Sequence, residues 1–283
     1  MTATRLGGYW CSALDTRYIV PHQWIRYTLD WSAIEAERGV YTWNATTDTI
    51  MDYCNRHNNP VMVNIHRSPA WARGDGYRCS LPTDNADLVR FVLAAIDRYH
   101  VEAVEIWNEV ETSGAVSAQI DWCCGCASPQ EYNSALSAVY EAVKAAYPEV
   151  LVVGGSLLSV DSAWSNAWLA LFPKMDAVTF HYYRNYGQSI DAAELAARIA
   201  TLEARTSAAV WLGETSLLCD PASGACGDDF RLRQADWLRA VLSTDADKVF
   251  WYSQTDADWM SCNMVEYSGT YPAFDVFREA ILP

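Results

Sequence analysis

Two glutamates are the first candidates for chemistry in this chain. Glu109 closes the run Val104-Glu105-Ile106-Trp107-Asn108-Glu109, and Glu214 closes Val210-Trp211-Leu212-Gly213-Glu214. Both runs are short and dominated by β-branched or aromatic residues, as buried strands are. Two carboxyls can divide labour when their surroundings differ. One is held protonated to donate; the other is held ionised to attack, or to stabilise a developing positive charge. The elements that carry them decide whether they meet.

Eight strand candidates run through the chain: Leu6–Trp10, Trp24–Leu29, Val61–His66, Ala103–Trp107, Leu151–Gly155, Ala177–His181, Ala209–Gly213 and Lys248–Tyr252. Amphipathic stretches separate them. Asp84–Tyr99 places Leu88, Phe91, Val92, Ala95 and Ile96 on one helical face, and Pro129–Tyr147 does the same with Leu136, Val139, Tyr140 and Val143. Ser128-Pro129 supplies a helix-opening cap and first-turn proline. Asp191–Arg205, Asp229–Leu242, Thr46–Arg56 and Tyr271–Ile281 read as further helices, whereas Ser12–Gln23 reads poorly as one. The alternation predicts an α/β fold, a single (β/α)8 TIM barrel over residues 1–283. An open doubly wound sheet is the alternative, but Gly7-Gly8 falls inside the first strand and not in a phosphate loop after it. Barrel sites lie at the C-terminal strand ends. Glu109 after the fourth strand and Glu214 after the seventh would then face each other across one mouth. Retaining glycoside hydrolysis uses carboxyls ~5 Å apart, and inverting hydrolysis uses ~6.5–9.5 Å.

Trp107-Asn108-Glu109 and Gly213-Glu214 resemble the two signatures of glycoside hydrolase clan A. That resemblance implies a retaining double displacement, with Glu109 as general acid/base and Glu214 as nucleophile. It implies that Asn108 hydrogen-bonds the sugar 2-hydroxyl. Arg26 in Trp24-Ile25-Arg26-Tyr27 resembles the strand-two arginine that keeps the nucleophile ionised. His66 resembles the clan's third-strand histidine. His181 and Tyr183 resemble the His-x-Tyr of strand six, and Trp251 the aromatic floor of strand eight, a place Tyr252 could also take. Trp31-Ser32-Ala33-Ile34-Glu35 with Arg38-Gly39-Val40-Tyr41-Thr42-Trp43 is similar to family 39 and to nearby family 5 members.

The remaining composition narrows the partners. A net charge of -15 disfavours nucleic acid, which needs a basic face. No apolar run is long enough for a membrane span. Thirteen tryptophans and sixteen tyrosines suit a site that stacks flat, hydroxyl-bearing rings. Trp71 and Trp259, in loops after strands three and eight, are the leading stacking candidates; Trp10, Trp122 and Tyr186 follow. Nine cysteines favour an oxidising compartment, so an extracellular protein is expected, with a cytoplasmic one as the alternative. Cys219 and Cys226 bracket a turn-rich loop that a disulfide would close, and Cys123, Cys124 and Cys126 form a second cluster.

Competing readings attach to several of these residues. Glu105 is expected to point into the barrel and pair with a cation such as Arg26. Glu35 is expected to brace a loop. His22, His57 and His100 read as surface residues. His66, Glu109, His181 and Glu214 could instead hold Mn or Zn in a metal-dependent barrel enzyme. A non-catalytic carbohydrate-binding barrel is a third reading, although binding alone does not require a carboxyl pair. The expectation is a retaining β-glycosidase acting as a monomer on carbohydrate, with neither organic cofactor nor metal. Endo cleavage of a β-glucan or β-mannan is expected, and exo cleavage of the β-xylosidase or β-glucosidase kind is its rival.

Overall fold

Parallel neighbours in a sheet need crossovers of a dozen or more residues, and amphipathic helices supply them here. The computed structural model describes residues 5–10, 18–74, 77–111, 127–219, 226–253, 264–266 and 269–282. Eight parallel strands close into a barrel: β1 (Leu6–Trp10), β2 (Trp24–Asp30), β3 (Val61–His66), β4 (Ala103–Ile106), β5 (Leu151–Leu157), β6 (Ala177–His181), β7 (Ala209–Thr215) and β8 (Lys248–Trp251). Each pairs with its sequence neighbours, and β1 pairs with β8 to close the ring. The fold is the expected (β/α)8 barrel.

The helices are α1 (Trp31–Ile34), α2 (Ala45–His57), α3 (Asn85–Tyr99), α4 (Pro129–Ala146), α5 (Ala163–Leu169), α6 (Ala193–Glu203), α7 (Phe230–Leu242) and α8 (Pro272–Ile281). Polar caps start several of them. Asn44 accepts from Thr46 N, Asp84 accepts from Ala86 N, and Ser128 with Glu131 forms a reciprocal capping box at α4. α3 buries Leu88, Phe91, Val92, Ala95, Ile96 and Tyr99, the face its periodicity marked. α1 and α5 escape the sequence reading because four and seven residues are too few to show a repeat. The doubtful helix Ser12–Gln23 lies largely outside the described residues; from Tyr18 onward it holds no α-helix.

Inside the barrel, Trp24, Met62, Ala103, Val153, Ala177, Trp211 and Phe250 form an apolar plug, separate from the larger core between strands and helices. The Lys248 ammonium lies 4.8 Å from the Trp24 ring centre. The plug fills the floor, so polar side chains one layer higher rest on apolar groups. Past the barrel, the chain after β6 stays paired with the chain after β7. Tyr182 N donates to Glu214 O at 2.9 Å and Arg184 N to Ser216 O at 3.0 Å, and the segments Arg184–Asn185 and Leu217–Leu218 form a short parallel ribbon. Cys219, at the end of that ribbon, is disulfide-bonded to Cys226 with Cα atoms 5.8 Å apart. Cys54 and Cys79 are buried thiols, and Cys123, Cys124 and Cys126 lie outside the described residues. Among the described residues no helix is long and apolar enough to cross a membrane.

Gly7 on β1 tests the plug. A Cβ there would come within 2.7 Å of both the Phe250 ring and the Trp24 Cβ. Gly7→Ala is therefore expected to destabilise the fold by about 1–3 kcal/mol in denaturant melts. An unchanged midpoint would mean that the plug is loosely packed.

Candidate active site

Above the plug the inward positions become polar. Arg26 on β2, Asn64 on β3, Glu105 on β4 and Thr179 on β6 are all buried. Arg26 Nε donates to Glu105 Oε2 at 2.8 Å, and another guanidinium nitrogen reaches the same oxygen at 2.7 Å. Thr179 donates to Glu105 Oε1, and the Asn64 amide donates to Glu105 Oε2 at 2.8 Å. With one edge of Arg26 fixed in this way, its Nη1 points upward and donates to Glu214 Oε1 at 2.6 Å. The second oxygen of Glu214 accepts from the Tyr183 hydroxyl.

The turn after β4 presents the other carboxyl. β4 ends at Ile106 because Trp107 and Glu109 adopt φ of 73° and 48°. Left-handed backbone is costly for a bulky residue and persists only when its surroundings hold it. Here Trp107 N donates to Ile65 O at 2.8 Å, Asn64 Nδ2 donates to Trp107 O at 2.7 Å, and Trp107 Nε1 donates to Cys79 O at 2.9 Å. Glu109 N donates to Ser156 O at 3.0 Å. Ser156 itself sits in an irregularity of β5, where Gly155 and Ser156 have φ of 98° and 51° and the register to β6 shifts. A Cβ on Gly155 would stand 2.6 Å from Thr179 O, so this place in the bulge requires glycine.

His181 joins the two carboxyls. Its Nδ1 lies 2.9 Å from Glu109 Oε1 and 3.5 Å from Glu214 Oε2, and its Nε2 lies 2.9 Å from Ser156 Oγ. Burial disfavours charge on this imidazole, but the carboxylates of Glu214 and Glu109 outweigh it and raise the histidine above its ordinary pKa. One donor atom from each of Glu109, His181 and Glu214 lies within 4.8 Å of the others. That spacing would also admit a cation, but Arg26 and Tyr183 already engage both oxygens of Glu214. A guanidinium at 2.6 Å supplies the counter-charge that a metal ion would bring.

The other sequence candidates separate into two groups. Asn108 belongs to the cluster, its Oδ1 accepting from Arg26 at 3.0 Å and lying 3.0 Å from Ser156 Oγ. His66 ends β3 beside Asp30, which binds Arg67 and Arg78 at 2.9 Å each. Burial, with Arg67 next, pushes the His66 pKa down to about 3, so this imidazole stays neutral. Trp251 is fully buried in the core between barrel and helices, on the opposite face of β8 from Phe250. Strand alternation turns it away from the mouth, and the half-buried Tyr252 takes the inward place, its ring edge-on to Tyr183 at 6.2 Å. Trp71 is set in the brace of another loop. Its Nε1 donates to Glu35 O at 2.8 Å, its ring meets Trp31 edge-on, and Arg38 and Arg90 lie 5.6 Å from its centre. The Glu35 carboxylate, wholly buried, holds that same loop through Trp31, Gly39 and Arg90. The Tyr186 hydroxyl bonds Asp229. His22, His57 and His100 are exposed. Trp259, Trp122 and the Trp10 side chain lie outside the described residues.

A sequence model of cellulase, glycosyl hydrolase family 5, matches residues 20–257. The chain belongs to glycosyl hydrolase family 5. The clan A motifs on strands four and seven fall within the matched region. No curated protein sequence matches the chain. Among solved structures, a family 39 glycoside hydrolase from Bacteroides cellulosilyticus WH2 superposes with a TM-score of 0.70 at 16% identity, over 98% of this chain and 63% of that one. An exo-β-1,4-mannosidase from Opitutaceae bacterium strain TAV5 gives 0.71 at 14%, over 98% and 59%. A family 128 endo-β-1,3-glucanase from Amycolatopsis mediterranei gives 0.63 at 11%, over 98% and 99%. At such identities the likeness is one of fold. This family 5 chain spans under two thirds of the first two.

Two residues at or beside this cluster escaped the sequence reading. Ser156 carried a weak signal, since it follows Gly154-Gly155 at a strand end and paired glycines there mark a bulge. Glu111 carried none. It accepts from Ser159 N at 2.7 Å, and burial raises its pKa from an ordinary 4.5 to about 7. The native state therefore keeps a proton that the unfolded chain releases, so this group's stabilising contribution falls as pH rises from 4.5 to about 7. Subtracting the pH–stability curve of Glu111→Gln from that of the wild type is expected to show this fall. A flat difference would mean that Glu111 titrates normally.

Proposed function

We propose that the chain hydrolyses β-linked glycosides with net retention, with Glu214 as nucleophile and Glu109 as general acid/base. The observation that carries this reading is a carboxyl pair whose oxygens approach within 4.8 Å while their partners differ. So close an approach fits a retaining pair, whose carboxyls lie ~5 Å apart, better than an inverting one. Glu214 accepts from a buried guanidinium and a phenol, which favours its ionised form. Glu109 shares a hydrogen bond with His181, a neighbour that can itself carry or release a proton.

In the first step Glu214 attacks the anomeric carbon while the Glu109 proton passes to the departing oxygen. In the second, Glu109 takes a proton from water, which displaces the sugar from Glu214. Arg26 and Tyr183 hold Glu214 in line. The Asn108 carbonyl is engaged by Arg26, which turns its amide nitrogen toward a sugar 2-hydroxyl. His66, neutral at working pH, and Tyr252 line the sugar site. The chemistry needs no organic cofactor.

The substrate we favour is a β-glucan or β-mannan cleaved internally. The family 5 match to cellulase supports it, as does the fold likeness to a β-1,3-glucanase that covers nearly all of both chains. Exo cleavage is the second reading, favoured by the likeness to the exo-β-1,4-mannosidase. The Cys219–Cys226 disulfide supports an extracellular setting.

Proton NMR of the first-formed product is expected to show the β-anomer, and an α-anomer would overturn double displacement. Glu214→Gln is expected to cut turnover on the order of 10⁴-fold or more while oligosaccharide affinity persists. Undiminished turnover would remove Glu214 from the mechanism.

A further inference from the structure

The hydrogen bonds around Ser156 admit one consistent set of protons. Arg26 Nη2 lies 3.0 Å from an Asn108 side-chain atom, and a guanidinium only donates, so that atom is the carbonyl oxygen. The same oxygen lies 3.0 Å from Ser156 Oγ. It can only accept, so it receives the single Ser156 hydroxyl proton. Ser156 Oγ is then left to accept, and His181 Nε2, at 2.9 Å, must be the donor. With hydrogen on Nε2, a neutral His181 carries its lone pair on Nδ1, which faces Glu109 Oε1 at 2.9 Å. Two lone pairs do not meet at that distance, so a proton lies between them, on the carboxyl or on the ring.

From this we propose that Ser156 is a positioning residue that, through the His181 tautomer, places the proton between a neutral His181 and Glu109 on the carboxyl, for delivery to the leaving oxygen. The proposal rests on Glu109 as the general acid. Without the Ser156 constraint, a neutral His181 could place its hydrogen on Nδ1 and donate to an ionised Glu109, which would then have no proton to give. With the constraint, that arrangement requires Ser156 to turn its proton away from Asn108. The proton is conserved over the cycle: it leaves Glu109 as the glycosidic C–O bond breaks, and water returns one in the second step.

The surroundings of His181 fit this role. Glu109 after β4, Glu214 on β7 and Arg26 on β2 face the ring, and Glu111 also acts on it. The negative charge among them favours retaining the proton. Ser156 can also be altered cleanly. Its backbone, not its side chain, binds Glu109 N at 3.0 Å and Thr179 Oγ1 at 2.8 Å. Its φ of 51° suits glycine, so Ser156→Gly removes the hydroxyl without straining the bulge.

Nitrogen-15 NMR of the full chain with labelled histidine reads the tautomer with no substrate present. The neutral form of His181 is expected to be Nε2–H in the wild type and to move to Nδ1–H in Ser156→Gly. In kcat/KM, the basic limb of the pH profile is expected to shift to lower pH in Ser156→Gly. The loss is expected to be about ten-fold larger on phenyl than on 2,4-dinitrophenyl β-glycosides, whose leaving group departs without protonation. A wild-type Nδ1–H form, an unchanged tautomer in the variant, or equal losses on both leaving groups would overturn the proposal. Full activity of Glu109→Gln on phenyl glycosides would instead overturn the acid role of Glu109, an outcome that the NMR assignment keeps separate.

Discussion

A single buried guanidinium bonded to two carboxylates governs the geometry of this site. Arg26 has no solvent exposure, so it exists there only because Glu105 and Glu214 balance and hydrogen-bond it. The two partners do different work. Glu105 is fixed from three strands, by Arg26, Asn64 and Thr179, and acts as an anchor. Glu214 receives what the anchored guanidinium has left, a single directed donor from below. Removing either carboxylate would leave a buried charge short of a partner, a loss of about 3–5 kcal/mol in comparable cases. A closed barrel is what makes the arrangement possible, since residues from β2, β3, β4, β6 and β7 must converge on one axis above an apolar plug.

The mouth is built from departures from regular strand geometry. Trp107, Glu109, Gly155 and Ser156 all adopt positive φ, and they lie on two adjacent strand ends. Together they bring the Glu109 and Ser156 side chains to His181. The clamps on Trp107 and the Glu109 N bond to Ser156 O hold these conformations against their intrinsic cost. Next to them around the ring, the ribbon after β6 and β7 keeps Tyr183 beside Glu214. Four consecutive strand ends of the mouth are therefore held by backbone pairing.

Much of this was legible in the sequence, for reasons that differ between residues. Glu109 and Glu214 stood out because strand-end position in a barrel is readable from alternation alone. Arg26 stood out through its resemblance to the strand-two arginine of clan A, and Glu105 because a buried carboxylate needs a cation beside it. Trp251 was misassigned because an error of one residue in strand parity moves a side chain to the other face; the inward aromatic is Tyr252. The contacts of Trp71 with Glu35, Arg38 and Arg90 were not legible, because only the folded loop brings those residues to it. Ser156 was missed because a bulge re-aims it, and bulges are set by tertiary contacts such as the close approach of Thr179 to Gly155.

The central claim is that the carboxylate held by Arg26 and Tyr183 forms a bond to the sugar. Incubation with 2,4-dinitrophenyl 2-deoxy-2-fluoro-β-glycosides, followed by peptide mass mapping, tests it directly, because the fluorine slows the second step and lets the intermediate accumulate. One added sugar on the peptide containing Glu214 is the expected result. A label on any other carboxylate, or steady turnover of the probe with inversion and no label, would contradict the account.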